Sequence, residues 1–373
     1  MAETADWFAE APLRRFAEEV LARAGAPAVA CTTVIDSLVY SDLRGVYTHG
    51  LVRLGAYVEE IRRGEVVPDA SPQVVRRAGA IEVLSAMNGF GAVAGVCAVD
   101  RATSIAADLG IGLVVVKDGH HFGAAGFYSE RAAAHGYVAL VMSNTPGVMA
   151  PVGGREAVLG NNPLAFAVPA PAPGETCYLL DMAQSVGARG KVKLAELAGE
   201  QLPAGWAIDA TGLPTTDPSA ALDGALLPSG GYKGYGLALM VELMTAVLAG
   251  SSPSFELAHS GFTARRAESG AGGRRATILA PGAATAVTSS YLALAPAVIG
   301  GDEQYPVRTW SYLSRIGSSL PASGAGRVIL PGERERDHAA NRLPGQVPLE
   351  RSTVALLEEV GATFGIPLPN RVA

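Results

Sequence analysis

Short apolar runs alternate with longer alanine-rich stretches through the middle of this chain of 373 residues, and this alternation most restricts its fold. The short runs have the length of strands, and the stretches between them are long enough for helices. Strands are predicted at Gln73–Arg77, Ile81–Ser85, Gly112–Val116, Val138–Met142, Leu164–Val168, Tyr178–Leu180 and Ala276–Ala280, and helices at Ala92–Leu109, Ala124–His135 and Ala284–Ala295. The pattern is typical of an α/β lobe in which helices cover a sheet.

The two ends of the chain carry helical periodicity instead. Helices are predicted at Trp7–Ala24, Ala28–Leu43, Gly50–Arg63 and Arg351–Phe364. We therefore divide the chain into a mainly helical lobe of residues 1–72, joined by residues 305–373, and an α/β lobe of residues 73–304. Residues 251–273 and 317–326 are rich in small residues, which indicates surface loops.

Charge and cysteine content exclude several classes of partner. The net charge of -6 at pH 7, without a block of basic residues, argues against nucleic acid. The three cysteines are widely spaced and form no Cys-x-x-Cys pair, which favours a reducing cytoplasm over a disulfide framework or a zinc site. The first residues are acidic without an apolar core, and the longest apolar run, Leu237–Leu248, is too short to span a bilayer. We expect a cytoplasmic protein that does not bind membranes.

A glycine-rich stretch, Asn88-Gly89-Phe90-Gly91-Ala92-Val93-Ala94-Gly95, partly matches a dinucleotide-binding fingerprint. Its third glycine comes one residue late, and no acidic residue follows at the end of a second strand in the expected place. A glycine-rich loop that starts a packed helix explains the stretch better. If this protein binds a nicotinamide cofactor, we expect a scaffold other than the Rossmann fold.

A lysine stands in a second glycine-rich stretch, Gly231-Tyr232-Lys233-Gly234-Tyr235-Gly236, which leads into the apolar run Leu237–Ala249. We expect this run to be a buried helix with Lys233 at its start. Helix N-termini attract negative charge, and a lysine strengthens that field, so the position suits an anionic or polar ligand. A solvated lysine in a flexible loop is the alternative.

His49 and Arg53 have a spacing that suits chemistry on a small organic acid. At i and i+4 they share a face if a helix begins by His49. Histidine gives or takes a proton near neutral pH, and arginine binds a carboxylate through two N–H groups. A capping histidine and a surface arginine are the alternative interpretation.

His120, His121 and Asp181 come at the ends of predicted strands, where catalytic groups are often found. One buried, hydrogen-bonded histidine beside a solvated one is the alternative for the pair. The remaining histidines, His135, His259 and His338, are scattered, so we expect no metal site. Asp181 could orient a histidine, bind a ribose hydroxyl or cap the helix that follows it.

In this order, the motifs of the chain resemble the malate/L-lactate dehydrogenase family of the non-Rossmann type. That family includes sulfolactate and ureidoglycolate dehydrogenases, diketogulonate reductase, and piperideine-carboxylate and pyrroline-carboxylate reductases. The resemblance rests on Ser41-Asp42-Leu43-Arg44-Gly45, His49-Gly50, Arg53-Leu54, His121-Phe122-Gly123-Ala124-Ala125-Gly126-Phe127-Tyr128, Ser143-Asn144-Thr145-Pro146, Ala150-Pro151, Gly153-Gly154, Leu159-Gly160-Asn161-Asn162-Pro163, Asp181-Met182-Ala183, Pro214-Thr215-Thr216-Asp217-Pro218, the Lys233 stretch and Pro331-Gly332-Glu333. The chain departs from the family at Thr48, where serine is usual, and at Asp118-Gly119-His120.

The resemblance implies a non-Rossmann mixed sheet covered by helices, a homodimer, and NAD or NADP as the hydride carrier. By similarity, His49, His121, Thr48 and Asp181 would be catalytic, and either histidine could be the proton donor. The substrate would contact Arg53, Tyr57 and Arg44. The cofactor would contact His121, Phe122, Gly123, Ser143, Asn144, Asn161, Asp181, Met182, Ala183, Lys233, Gly234, Pro331, Gly332 and Glu333 of the α/β lobe and the C-terminal segment.

The prediction is an NAD(P)-dependent oxidoreductase that moves a hydride between nicotinamide and C2 of a small 2-keto or 2-hydroxy acid, or of a cyclic imino acid. A histidine would exchange the proton and an arginine would bind the carboxylate. The alternative is a ligand-binding or assembly protein derived from this family that has lost turnover. NADP would need an arginine near its 2′-phosphate. The candidates Arg265, Arg266, Arg274 and Arg275 lie in or beside a stretch that matches the family poorly, so NADH and NADPH both stay open.

Overall fold

A seven-stranded mixed sheet forms the centre of the fold in a computed structural model, which describes residues 5–259 and 286–372. Its strands are β2 (Gln73–Ala78), β3 (Ile81–Ser85), β4 (Ile111–Gly119), β5 (Val138–Ser143), β6 (Leu164–Pro169), β7 (Thr176–Met182) and β11 (Val287–Leu294). They lie in the order β2-β3-β4-β11-β5-β6-β7, with β3 and β4 parallel and the other neighbours antiparallel. The mixed sheet confirms the predicted non-Rossmann α/β class, because a Rossmann sheet is mostly parallel.

Four of these strands end at the same edge of the sheet, although they are far apart in sequence. The antiparallel strand β11 lies between β4 and β5, so β4 and β5 run in the same direction. The direction reverses at β6 and returns at β7, and β3 runs with β4. The residues that follow β3, β4, β5 and β7 therefore meet along one edge.

The helices α4 (Gly91–Leu109) and α5 (Ala125–Ala134) pack against this sheet through small residues. In α4, Ala94, Ala98, Ala102 and Ala106 repeat at i, i+4 spacing, and all four are buried in one cluster with strand residues of the sheet. The approach is close enough that a Cβ on Gly95 would lie 2.5 Å from the ring of Tyr128 and 2.7 Å from the hydroxyl of Tyr291. The glycine-rich stretch before α4 thus serves helix packing.

A second buried cluster joins the two ends of the chain. It contains side chains of α1 (Glu10–Arg23), α2 (Ala28–Leu43), α3 (Leu54–Arg62) and α12 (Arg351–Ala362), and of the antiparallel pair β1 (Asp6–Ala9) and β12 (Gln346–Leu349). The prediction of a helix from Trp7 was wrong at its start, because Trp7 pairs with Pro348 in this ladder and the helix begins at Glu10. That pairing spans most of the chain, so local periodicity does not reveal it.

The remaining elements lie around the sheet. They are the three-stranded sheet of β8 (Ala207–Ile208), β9 (Pro214–Thr215) and β10 (Ala225–Leu226), and the helices α6 (Arg189–Ala198), α7 (Pro218–Asp223), α8 (Tyr232–Glu242), α9 (Pro296–Gly300), α10 (Tyr305–Gly317) and α11 (Glu333–Ala340). A π-helical turn, Leu243–Val247, continues α8. Among the described helices, none is long and apolar enough to cross a bilayer.

The predicted helix at Ala284–Ala295 is wrong, since its described part forms the central strand β11. Buried on both faces between β4 and β5, this strand shows no alternation of apolar and polar residues, and its alanines suggested a helix. The predicted strand at Ala276–Ala280 and the four arginines proposed for a 2′-phosphate lie outside the described residues. The lobe boundaries at residues 72 and 305 stay a prediction, and α10 places Leu313 in a cluster with Val168 and Cys177 of the sheet.

We predict that Gly95→Ala lowers the free energy of unfolding by about 1–3 kcal/mol, because the added methyl group overpacks the contact with Tyr128 and Tyr291. The control is Gly55→Ala in α3, where a Cβ meets nothing within 4 Å. Chemical denaturation of both variants measures the difference. Equal stability of Gly95→Ala and wild type would contradict the close approach of α4 to the sheet.

Candidate active site

A cavity of about 340 Å³ lies where the carboxyl ends of β4, β5 and β7 face the N-terminal helices. Its volume falls within the range of small-molecule sites, roughly 300–1,000 Å³. Many predicted site residues line it: Arg44, Thr48, His49, Arg53, Tyr57, His121, Phe122, Gly123, Ser143, Asn144, Asn161, Asp181, Met182 and Ala183. The common strand direction explains how motifs so far apart in sequence reach one cavity.

Two histidine rings lie nearly parallel in this cavity. The centroids of His49 and His121 are 5.5 Å apart, and the planes of their rings differ by 22°. Nδ1 of His49 lies 3.0 Å from the hydroxyl of Thr48, and Nδ1 of His121 lies 2.7 Å from the hydroxyl of Tyr57. Each ring is therefore oriented through Nδ1, which leaves Nε2 as the nitrogen for chemistry on a ligand.

His49 and Arg53 stand on two consecutive 3₁₀ turns, Tyr47–His49 and Leu51–Arg53. The condition for a shared helical face, a helix that begins by His49, is not met, because Gly50 has an extended backbone between these turns. The helix predicted from Gly50 begins as an α-helix only at Leu54. The carboxylate of Asp42 on α2 fixes the break by accepting a hydrogen bond from the N–H of Leu51 at 2.8 Å. A Cβ on Gly50 would lie 1.8 Å from that carboxylate, so only glycine fits here.

Burial controls the charge of the histidines. It lowers the pKa of His49 to about 3, with a further contribution from the positive charge of Arg53. Burial also lowers the pKa of His121 well below its usual value, followed by the charges of Arg53 and His49. Both imidazoles are neutral at physiological pH, so either one can accept a proton.

Arg53 is buried and fixed beside the two rings. Its Nε donates a hydrogen bond to the carbonyl oxygen of Thr48 at 2.8 Å. Burial lowers the pKa of this guanidinium, while the neighbouring Tyr57 and Glu60 act in the opposite direction. The buried acid Glu60 also lines the cavity, and its charge favours the protonated form of Arg53.

Asp181 stands at the end of β7 and accepts a hydrogen bond from the N–H of Gly126 at 2.8 Å. Gly126 lies in the first turn of α5, so Asp181 caps a different helix from the one that follows it in sequence. Burial raises the pKa of this carboxyl to about 6, and the charge of Glu335 adds to the shift against the opposing bond from Gly126. The side chain is an acceptor in the cavity lining, and Glu335 of α11 lines the same cavity.

Some predicted residues lie outside this lining. Lys233 is exposed in the first turn of α8, and neither Lys233 nor Gly234 lines the cavity. Pro331 and Gly332 line an adjacent cavity of about 280 Å³, which shares Leu179, Asp181 and Glu335 with the larger one. Glu333 instead forms an ion pair with Arg327 and accepts the N–H of Leu330.

Two further placements modify the sequence interpretation. Arg44 lines the cavity but is paired with Glu130 at 2.8 Å, and its guanidinium lies over the ring of Tyr40.

The apolar run after Lys233, expected as a buried helix, exposes one of its faces. The exposed side chains are Met240, Leu243, Met244, Val247 and Leu248.

Sequence reasoning missed several residues of the cavity lining, namely Glu60, Arg189, Lys191 and His259. Arg189 and Lys191 stand in the first turn of α6, and two basic residues at the start of a helix were the signal that could have found them. His259 bonds the carbonyl oxygen of Gly147 and gave no signal in the sequence. Within the described part of the chain, no group of three or more His, Cys, Asp or Glu side chains could hold a metal ion.

Comparison with protein families identifies the family of the chain. The model of the family described as malate/L-lactate dehydrogenase matches residues 8–358. The chain belongs to this family. The matched residues include His49, His121, Arg53 and Asp181.

Individual relatives are dehydrogenases and reductases. The chain is 43% identical over 232 residues to a (2R)-3-sulfolactate dehydrogenase (NADP(+)) of Chromohalobacter salexigens, which covers 62% of this chain and 69% of the relative. It is 30% identical over 354 residues to an L-sulfolactate dehydrogenase of Methanocaldococcus jannaschii, covering 95% and 96%. A malate dehydrogenase structure from Pyrococcus horikoshii superposes with a TM-score of 0.84 at 29% identity, over 98% of this chain and 97% of that one.

Relatives with other substrate names are also similar. A ureidoglycolate dehydrogenase (NAD(+)) of Escherichia coli and a Delta(1)-pyrroline-2-carboxylate reductase of Agrobacterium fabrum are each 36% identical, over 64% and 69% of this chain and 67% and 74% of the relatives. The names of these relatives agree on redox chemistry and differ in substrate. The protein is an enzyme, a dehydrogenase or reductase.

We predict that the rings of His49 and His121 are both neutral at pH 6, because burial and the charge of Arg53 lower the pKa of each below its usual value. Two-dimensional ¹H–¹⁵N spectra of the histidine rings, assigned with His49→Ala and His121→Ala, report the charge directly. Imidazolium signals from either ring at pH 6 would contradict the buried, electropositive setting.

Proposed function

We propose that this enzyme transfers a hydride between NAD(P) and C2 of a small 2-keto or 2-hydroxy acid, or of a cyclic imino acid. One observation carries the proposal: two oriented, neutral histidines and a buried arginine share one cavity with Asp181. The names of the relatives support it, since sulfolactate, ureidoglycolate and pyrroline-2-carboxylate all carry a carboxylate next to the reacting carbon.

The residues of the cavity fit a nicotinamide cofactor. Asp181 is an acceptor in the cavity lining that suits ribose hydroxyls, and Phe122 and Met182 offer apolar surface for a ring. Arg189 and Lys191, at the start of α6, supply positive charge for phosphates. When bound, NAD(P)H supplies the hydride, and NAD(P)+ accepts it in the other direction.

Arg53 orients the substrate in this proposal. A guanidinium fixed by its neighbours meets a carboxylate with planar, paired N–H donors, which sets the position of the adjacent carbon. Glu60 also interacts with the charge of Arg53, so the carboxylate of the substrate has to replace part of the interaction between Glu60 and Arg53. Holding the reactants in register contributes much of the rate enhancement.

One of the two histidines exchanges the proton of the substrate oxygen or nitrogen. In the oxidation direction, a neutral imidazole accepts the proton of the hydroxyl group. In the reduction direction, the carboxylate of the bound substrate offsets the charge of Arg53, which removes the second cause, after burial, that lowers the pKa of both histidines. Thr48 and Tyr57 hold the rings through Nδ1, so Nε2 is the nitrogen that exchanges the proton.

The test is the oxidation of NADH and NADPH, each with a panel of 2-keto acids and cyclic imino acids. His49→Ala and His121→Ala should leave cofactor affinity unchanged, and the variant that lacks the proton donor should lose about 100-fold or more in kcat. Arg53→Lys should mainly raise the KM of the acid. His135→Ala is the control, because His135 is exposed and outside the cavity.

Turnover on the panel with both histidine variants fully active would overturn the assigned roles. Cofactor binding with no turnover on any acid would favour the other function, a ligand-binding or assembly protein derived from this family. The comparison of NADH and NADPH in the same assay decides which cofactor the enzyme prefers.

We also propose a homodimer that forms through α8 and its π-helical turn. The exposed residues Met240, Leu243, Met244, Val247 and Leu248 repeat at i, i+3, i+4, i+7 and i+8, so they form one apolar stripe. An apolar stripe of this length on the surface is typical of an interface with another chain. A second copy, with the same stripe, is the partner that suits a closed two-fold contact.

Light scattering of wild type at micromolar concentration should give the mass of a dimer. Leu243→Glu should shift it to a monomer, because the charge would be buried in the contact. Leu320→Glu is the control, since Leu320 is 95% exposed on another part of the surface. A monomeric wild type, or a dimer that survives Leu243→Glu, would contradict this interface.

A further inference from the structure

The carboxylate of Glu242 is buried at the end of α8 and has no part in the chemistry described above. It lies outside the cavity lining, directly before the π-helical turn. In the sequence it is the one charged residue that interrupts the apolar run Leu237–Leu248. A buried charge is costly unless it is well hydrogen-bonded, so its place here calls for a physical reason.

Neutral groups surround both oxygens of this carboxylate. Oε1 accepts the N–H of Ser254 at 2.8 Å and lies 3.5 Å from Nδ2 of Asn144. Oε2 accepts Nδ2 of Asn162 at 2.8 Å and the hydroxyl of Ser254 at 2.5 Å. Among the described residues, no basic side chain forms a salt bridge with Glu242, and these four donors satisfy the acceptor capacity of a carboxylate.

Two of these donors belong to one wall of the cavity. We define the cavity wall as residues 143–145 and 161–162, of which Ser143, Asn144, Thr145 and Asn161 line the cavity. Asn144 accepts the N–H of Thr288 through Oδ1 at 2.8 Å, which ties the end of β5 to β11.

The second half of the wall is held in the same way. Asn162 accepts the N–H of Thr145 through Oδ1 at 3.1 Å and donates to the carbonyl oxygen of Ala238 at 3.0 Å. Its backbone has a φ of 33°, a strained conformation for a residue other than glycine, and the bonds of its side chain hold it there. The amide groups of both asparagines are thus oriented by their contact with Glu242.

We propose that Glu242 is a positioning residue, which fixes the cavity wall by orienting the side chains of Asn144 and Asn162 from behind. The effect of this on cofactor binding rests on the proposed function, since Ser143, Asn144 and Asn161 are among the residues proposed to contact the cofactor. The π-helical turn after Glu242 agrees with this role, because such turns are frequent at functional sites.

The informative substitution is Glu242→Gln, which keeps the shape of the side chain. One oxygen becomes an NH₂ group, and in either orientation that group faces a donor: Asn162 in one, and the N–H of Ser254 in the other. The bonds lost in this way release the wall without opening a cavity in the core.

The control for a purely structural effect is Glu82→Gln. Glu82 on β3 is as buried as Glu242, and it binds Arg77 of β2 and Arg101 of α4, away from the cavity lining. A milder second variant is Ser254→Ala, which removes one donor to Glu242 and keeps the carboxylate. If Glu242→Gln does not fold, the same measurements are made on Ser254→Ala.

Two readouts are measured on the full chain. Amide hydrogen exchange at Thr145 and Ser254 should be about tenfold faster in Glu242→Gln than in wild type. In Ser254→Ala, exchange at Thr145 should also be faster than in wild type, but by a smaller factor. The Kd of NADH or NADPH, from its fluorescence, should rise about tenfold, while kcat at saturating cofactor changes by less than about threefold. Glu82→Gln should lower the melting temperature without moving either readout.

Exchange rates and Kd equal to those of wild type would overturn the positioning role. Equal effects of Glu242→Gln and Glu82→Gln on Kd would overturn it as well, since they would reflect general loosening. A wild type that binds neither NADH nor NADPH would refute the proposed function alone, and the exchange at Thr145 and Ser254 would then decide the role of Glu242.

Discussion

The position of β11 between β4 and β5 is the constraint on which the rest of the structure depends. An antiparallel strand between them gives β4 and β5 the same direction, so His121, after β4, and Ser143, at the end of β5, lie at one edge of the sheet. Two further reversals bring Asp181 to that edge at the end of β7. The helical end of the chain then supplies His49 and Arg53 from the other side of the cavity.

Burial gives these groups their chemistry. Arg53 is buried, and His49 and His121 lie half-buried beside it in the cavity. Desolvation and the charge of Arg53 lower the pKa of both histidines, which disfavours a second positive charge there. The histidines are therefore neutral and the arginine carries the charge, which suits an anionic substrate. The same logic applies behind the cavity wall, where Glu242 remains buried because four neutral donors surround it.

The sequence predicted many residues that line the cavity, and it predicted the fold less completely. Histidine, arginine and aspartate stand out beside glycines, and their order matched a family, so His49, Arg53, His121 and Asp181 could be predicted. The strand β11 could not, because a strand buried on both faces lacks alternation and its alanines favour a helix. Two further features depend on tertiary contacts, which a local pattern does not contain. They are the pairing of β1 with β12 and the position of the start of α6 at the cavity. Lys233, singled out by its glycine-rich setting, lies exposed on α8.

In the proposed function, the enzyme transfers a hydride from NAD(P)H to C2 of a small acid that binds in this cavity. The most direct measurement uses NADH or NADPH deuterated at C4 of the nicotinamide, with mass and NMR analysis of the product acid. The account predicts one deuterium at C2 of the product with wild type, and a loss of labelled product with Arg53→Lys at substrate concentrations below the raised KM. Tight cofactor binding without deuterium in any product acid would contradict it.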